Sequence, residues 1–169
     1  FNKKINLFAK DACSAYSAVS ISNLKLIKKF PDHIKKTLKA AGIQSIHPLV
    51  DIVNFVMLES GQPMHVFDQD KIEGDIEVRF AKTKEQIKIL GEKNLKLTKD
   101  CLVIADEKES IAFAGISGSL NHSVSKKTQN FLIESAFFNP NIIKGKARRY
   151  GFQTDASQRF ERGVDFNLH

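Results

Sequence analysis

At Ile76 the spacing of apolar residues changes from three and four to two, and that change confines the chain to a mixed α+β fold. Upstream, "PDHIKKTLKAAG" (31–42) runs from Pro31 to Gly42 with Ile34, Leu38 and Ala41 on one face and lysines on the other. Proline suits the first turn of a helix and glycine its end, so this segment is expected to be helical. "HPLVDIVNFVMLESG" repeats the device with Pro48, then Leu49, Ile52, Val53, Val56 and Met57, then Gly61, and is expected to form a second helix that is mostly core. Downstream, Ile76/Val78/Phe80, Ile87/Ile89, Leu95/Leu97, "CLVIA" and "IAFAGI" are separated by Gly, Asn, Lys and Asp turns, which predicts a meander of short strands. "YSAVSISNLKL" (16–26) and "NFLIESAFF" (130–138) read as two more strands, the latter with Glu134 in its middle. "NPNIIKGKARRYG" predicts a Pro140-started helix with Arg148 and Arg149 near its C-terminal end, where cations complement the dipole. No internal repeat or low-complexity linker divides the sequence, and a single domain over 1–169 accommodates it.

Thirteen Phe and a hydrophobic share of 42% supply a real core, and no apolar run is long enough to span a bilayer. A soluble, globular product is expected. The formal net charge of +7 suits an anionic partner such as RNA, or else a lysine-rich solvated exterior. Cys13 and Cys101 form no CxxC pair, so neither a zinc site nor a disulfide framework is indicated, and a reducing cytoplasm is the default compartment. Five scattered histidines without HxxxH spacing make a protein-held metal unexpected. The chain opens on Phe without a charged-then-apolar leader and reads as a piece of something larger.

Four places invite chemistry. "GISGSLNHS" (115–123) is a glycine-bearing turn whose backbone can approach a ligand, or an ordinary hairpin. Glu134 is a carboxylate among apolar neighbours, costly there unless it is paired or turned to solvent. His65, in "GQPMHVFD" after Pro63, orients a ligand or a water, or serves only structure. In "GFQTDASQRFERGVD" Thr154 or Asp155 is expected to cap a short helix closed by Gly163, with small Ala156 leaving space beside a helix end suited to an ester, carboxylate or phosphate. No Ser-His-Asp or Cys-His pair is visible by spacing. These residues describe a basic, metal-free α+β domain that binds an anion or RNA, and they name no reaction.

"HPLVDIVNFVMLESGQPMHVFDQDKIEG", "LVIAD", "FAGISGS", "LIESAFFNP" and "ARRYGFQTDASQRFERGVD" together resemble the B3/B4 editing domain of bacterial phenylalanyl-tRNA synthetase β subunits, over nearly the whole chain and most closely from about residue 41 onward. The resemblance implies a β-sandwich-like core with flanking helices in a cytoplasmic α2β2 assembly with the synthetase α subunit. It implies an editing site that hydrolyses tyrosine wrongly attached to tRNA(Phe), a metal-free ester hydrolysis that corrects what a synthetic site cannot fully exclude. No cofactor is implied for this domain, ATP and Mg²⁺ belonging to the synthetic site. By motif, Glu134 reads the tyrosine phenol, with the Gly118 backbone assisting and Pro63 and His65 lining the pocket. Thr154 and Ala156 shape the space by the aminoacyl ester, and His65, Thr154 and Ala156 form the implied catalytic set. Gln44 falls at a substrate-binding position where the family commonly carries Arg. Gly118-Ser119 replaces a GG doublet, with Leu120 where Glu is common. Two alternatives stand beside editing: an RNA-docking or subunit-packing module of the same synthetase with a vestigial pocket, and a free-standing relative acting on other aminoacyl esters.

Overall fold

The computed structural model describes residues 3–25 and 30–168. Its first two helices form where the punctuation placed them. Helix α1 (Asp32–Ala40) buries Ile34 and Leu38, while Ala41 lies past its end and is exposed. Helix α2 (Pro48–Ser60) starts at its proline, with the His47 side chain accepting the Leu49 N–H at 3.3 Å, and stops at Gly61 in the left-handed region at φ 80°. Such a conformation strains any residue with a Cβ. The second helix is less of a core element than its composition suggests. Leu49, Val53 and Met57 form its buried stripe, whereas Ile52 and Val56 are 38% and 36% exposed. Leu49 and Val53 face a three-stranded sheet and Phe55 and Leu58 pack on α1, which leaves Ile52 and Val56 partly open.

The strands make two facing sheets. One has the order β1-β4-β7-β8-β9, built from β1 (Ile5–Leu7), β4 (Ile76–Phe80), β7 (Leu102–Ala105), β8 (Ser110–Phe113) and β9 (Ser117–Gly118). The other has the order β2-β10-β3, from β2 (Cys13–Ile21), β10 (Phe131–Phe138) and β3 (Met64–Asp68). A small hairpin of β5 (Gln86–Lys88) and β6 (Asn94–Lys96) stands beside them. All pairings are antiparallel except β1 with β4, where Ile5 lies opposite Ile76. The expected strand over 16–26 sits earlier, as β2, and Leu26 lies outside the described residues.

Alternation along β10 sets both layers. Leu132, Ala136 and Phe138 point into the main core, where they meet Phe67 of β3 and Ile76, Val78, Ile104, Ile111 and Phe113 of the five-stranded sheet. Phe131 and Ile133 point the other way, onto Leu49 and Val53 of α2. Both faces of β10 are therefore covered, by a sheet and by a helix, and its run is almost continuously apolar for that reason. The fold is α+β with a sandwich-like core and flanking helices. Among the described residues no helix is long and apolar enough to cross a membrane.

After β10 the expected single helix is two short ones, α3 (Pro140–Ile143) and α4 (Lys146–Arg149). Lys144 is extended at ψ 125° and Gly145 left-handed at φ 76°, which breaks the helical hydrogen bonding between them. Lys146 and Arg149 then converge on Asp100, whose carboxyl their hydrogen bonds, with that of Thr98, hold far below the usual range. Helix α5 (Asp155–Arg162) follows and closes the edge of the sandwich, Phe160 meeting Phe138 edge-on at 5.0 Å.

Candidate active site

Between the two sheets, where α5 covers their edge, lies a cavity lined by Pro63, His65, Gly118, Glu134, Ala156 and an apolar wall. Its volume is about 60 Å³, room for roughly four waters. Each strand contributes through its alternation. Glu134 shares the inward face of β10 with Leu132 and Ala136, so it is buried, 5% exposed, and not turned to solvent. Directly opposite it stand His65 on β3 and Ala18 on β2. Directly opposed residues project to the same side of a sheet, which brings the two ionisable groups into one space.

Burial decides the charge of both. It pushes the Glu134 carboxyl up to about 8, with no hydrogen bond or counter-charge acting the other way. It pushes the His65 imidazole down to about 4. At neutral pH the site therefore holds a carboxylic acid and a neutral imidazole, two uncharged groups that can each donate and accept.

Gly118 is required by packing. A Cβ built there would lie 2.3 Å from His65 Nε2, so the imidazole rests on a bare Cα. The ring also meets Phe67 edge-on, centroids 4.4 Å apart. Gly118→Ala is expected to swing the ring off this seat, at an overpacking cost of about 1–3 kcal/mol. Thermal unfolding of the variant beside the wild type checks that cost.

Thr154 takes a different place from Ala156. Its hydroxyl accepts the Ser157 N–H at 3.0 Å and donates to the Ile116 carbonyl at 2.8 Å, while Ser157 Oγ accepts the Thr154 N–H at 3.0 Å. This reciprocal cap ties the start of α5 to the segment before Gly118 and leaves the hydroxyl committed. Thr154 does not line the cavity; Ala156, the second residue of the helix, does. The arginines brace the helix from outside. Arg159 reaches Asp155 at 3.3 Å, Arg162 donates to the Gln158 carbonyl, and Arg148 lies 3.7 Å from Glu161. Gln44 is exposed in the turn between α1 and α2 and is not among the lining residues.

Sequence spacing did not reveal one constellation. Ser119 Oγ lies 2.8 Å from His122 Nδ1, and His122 Nε2 lies 3.5 Å from Asp106. Its members are those of a hydrolase triad, yet the three are 3–4% exposed, and the serine meets the opposite ring nitrogen from the one a serine hydrolase uses. Against the upward push of burial, the backbone N–H groups of Glu73, Glu109 and Lys108 hold the Asp106 carboxyl below its usual value. The chain of contacts is sealed from substrate and anchors the turn after Gly118. The apolar wall was also missed. Ile104, Ala112, Phe113, Ile116, Phe138 and Phe160 read as ordinary core, and only the glycines of "GISGS" signalled that a space lay beside them.

This α+β arrangement of two sheets with flanking helices is a fold already seen in a solved structure. The N-terminal fragment of the phenylalanyl-tRNA synthetase β-subunit from Pyrococcus horikoshii shares the fold, with a TM-score of 0.61 at 16% identity over 80% of this chain and 43% of that one. The chain belongs to the B3/4 domain family, which it matches over residues 12–169. It is 49% identical over 164 residues to the phenylalanine–tRNA ligase β subunit of Idiomarina loihiensis, covering 97% of this chain and 21% of that protein. To the same subunit of Legionella pneumophila strain Lens it is 47% identical over 162 residues, 96% of this chain and 20% of that protein. The chain thus spans about a fifth of the length of the curated relatives it matches.

Proposed function

We propose that this chain is the editing module of a phenylalanyl-tRNA synthetase β subunit, and that its cavity hydrolyses the ester of tyrosine misattached to tRNA(Phe). The observation that carries the reading is Glu134, an uncharged acid buried to 5% exposure in an otherwise apolar cavity. A phenol entering this cavity donates its O–H to the Glu134 carbonyl oxygen. A phenyl ring leaves that oxygen unpaired, and an unpaired buried polar group costs about 1–3 kcal/mol. Discrimination comes from that asymmetry, as in other sites that reject a ligand lacking a hydroxyl.

Ester hydrolysis further requires a held water and a wall that admits the aminoacyl group. His65, neutral and seated on Gly118, is the group we assign to orient the water through its free ring nitrogen. Ala156 keeps the wall low where the ester enters. The hydrolysis we assign needs no metal, since a positioned water and a stabilised oxyanion suffice for an activated ester. The partners in this reading are tRNA(Phe), drawn to a chain of net charge +7, and the α subunit and remaining β domains of an α2β2 enzyme in the cytoplasm.

The test is single-turnover deacylation of Tyr-tRNA(Phe) and Phe-tRNA(Phe) by the full synthetase, with and without a chelator and with the tRNA kept folded. Selective loss of tyrosine, unchanged by chelation, is expected. An enzyme that spares both esters would leave an RNA-docking or subunit-packing module, and editing restored only by added zinc would overturn the metal-independent step.

A further inference from the structure

We infer that Tyr16 is a positioning residue for Glu134, its buried and unpartnered hydroxyl being the donor that holds the carboxyl in place when a ligand's hydroxyl is bound. The inference rests on the editing reading given above. Tyr16 lies opposite Ala136, and Glu134 lies opposite Ala18, in the antiparallel pairing of β2 with β10. Tyr16 is thus the diagonal neighbour of Glu134 on the same inward face, at a separation that an aromatic and a long side chain together span.

Four buried side-chain atoms among the described residues have no hydrogen-bond partner: Tyr16 Oη, His47 Nε2, Gln62 Oε1 and Ser135 Oγ. Ser135 shares the face of Phe131 and Ile133, toward α2, and the His47 ring stands 5.8 Å from Phe131 on that same side. Gln62 offers an acceptor, and its amide nitrogen already donates to the carbonyls of Pro63 and Ala136. Cys13, nearby on β2, spends its S–H on the Ala15 carbonyl at 3.3 Å. Tyr16 alone presents an uncommitted O–H on the face of Glu134. Burial above all holds its phenol well above the usual range, so it stays protonated and able to donate.

A buried hydroxyl without a partner destabilises a fold, and its retention calls for a state in which it is satisfied. That state forms when Glu134 turns one oxygen toward a ligand's hydroxyl and the other toward Tyr16. Glu134 then has its orientation fixed from behind, at an atom the ligand does not touch. Tyr16 contacts no substrate in this arrangement and does not line the cavity.

The experiment uses the full synthetase with Tyr16→Phe, Glu134→Ala and the double variant. It reads the half-saturating concentration and maximal rate of deacylation on Tyr-tRNA(Phe) and Phe-tRNA(Phe), with the thermal midpoint as a folding control. For Tyr16→Phe the half-saturating concentration for Tyr-tRNA(Phe) is expected to rise about three- to ten-fold, the value of one neutral hydrogen bond. The maximal rate and the handling of Phe-tRNA(Phe) should hold, and the midpoint should stay or rise because an orphaned hydroxyl has gone. In the Glu134→Ala background Tyr16→Phe should add nothing. Unchanged kinetics in Tyr16→Phe beside an active wild type would overturn this inference and leave the editing reading standing. Equal losses on both esters with a lowered midpoint, or an added loss in the Glu134→Ala background, would make Tyr16 a packing residue and overturn it too. A wild type inactive on both esters would overturn the reading and the inference together.

Discussion

Glu134→Gln is expected to stabilise the chain at pH 8 while sparing most of its discrimination, and Glu134→Ala to abolish that discrimination. The stability effect follows from proton linkage. The folded carboxyl titrates near 8 against an ordinary value of 4.5, so between those limits the unfolded chain releases a proton that the folded chain keeps. Stability that Glu134 provides below the lower limit is therefore lost as pH rises, by about 1.4 kcal/mol per pH unit across the window. The sum is on the order of 3–5 kcal/mol, or roughly 10 °C in the midpoint of a chain this size. Glutamine removes the loss because it has no proton to release.

His65 acts with the opposite sign. Its folded value near 4 lies below the ordinary 6.5, so its contribution is complete above the higher value and lost as pH falls toward the lower. In the wild type the two slopes oppose each other between about 4.5 and 6.5, and only the Glu134 slope remains from there to about 8. Glu134→Gln should instead gain stability up to about pH 6.5 and then level off. Thermal or urea unfolding across pH 4 to 9 checks this, and parallel curves for wild type and variant would refute it. On the kinetic side, an amide carbonyl accepts a phenol O–H much as a neutral acid does, whereas alanine accepts nothing. Glu134→Ala should slow Tyr-tRNA(Phe) hydrolysis by about ten-fold or more, with little change on Phe-tRNA(Phe). Equal damage from glutamine and alanine would mean that the ionised carboxylate, not the acid, reads the hydroxyl.

Glu134 was the most legible part of the site, because a lone carboxylate in "FLIESAFF" is conspicuous and its period-two neighbours Leu132 and Ala136 mark an inward face. The two helix starts at Pro31 and Pro48 and the cap at Thr154 were legible for a similar reason, since each depends on residues within one turn. What escaped depends on contacts between distant segments. His65 on β3 and Gly118 on β9 belong to different sheets, and their close approach exists only because those sheets face each other. The sealed contacts of Asp106, His122 and Ser119 join a turn after β7 to a turn after β9. Ile52 and Val56 were misjudged because helical spacing counts apolar positions without saying how wide a stripe the neighbouring sheet will cover. The break at Gly145 in the expected Pro140 helix was missed, and Lys146 just after it reaches Asp100, a residue 46 positions away.

Ala156→Trp should close the cavity and lower Tyr-tRNA(Phe) hydrolysis on the order of 100-fold or more, since a reacting ester displaced by even about 1 Å can lose that much. The indole would extend from α5 into the cavity that Glu134, His65 and Gly118 also line. Thr154 makes the informative contrast. Its hydroxyl is spent on the α5 cap and the Ile116 carbonyl, so Thr154→Val should act through the helix, at about 1 kcal/mol of stability, and Thr154→Ser should restore it. If Thr154 instead touches the ester, Thr154→Val will cut the hydrolysis rate without moving the midpoint. Comparing midpoints with rates for the three variants separates the roles, because bulk at Ala156 removes the space and leaves the cap intact. Charging of tRNA(Phe) with phenylalanine by the full enzyme should stay near normal in all of them. An Ala156→Trp enzyme that still clears Tyr-tRNA(Phe) at the wild-type rate would place the reaction outside this cavity.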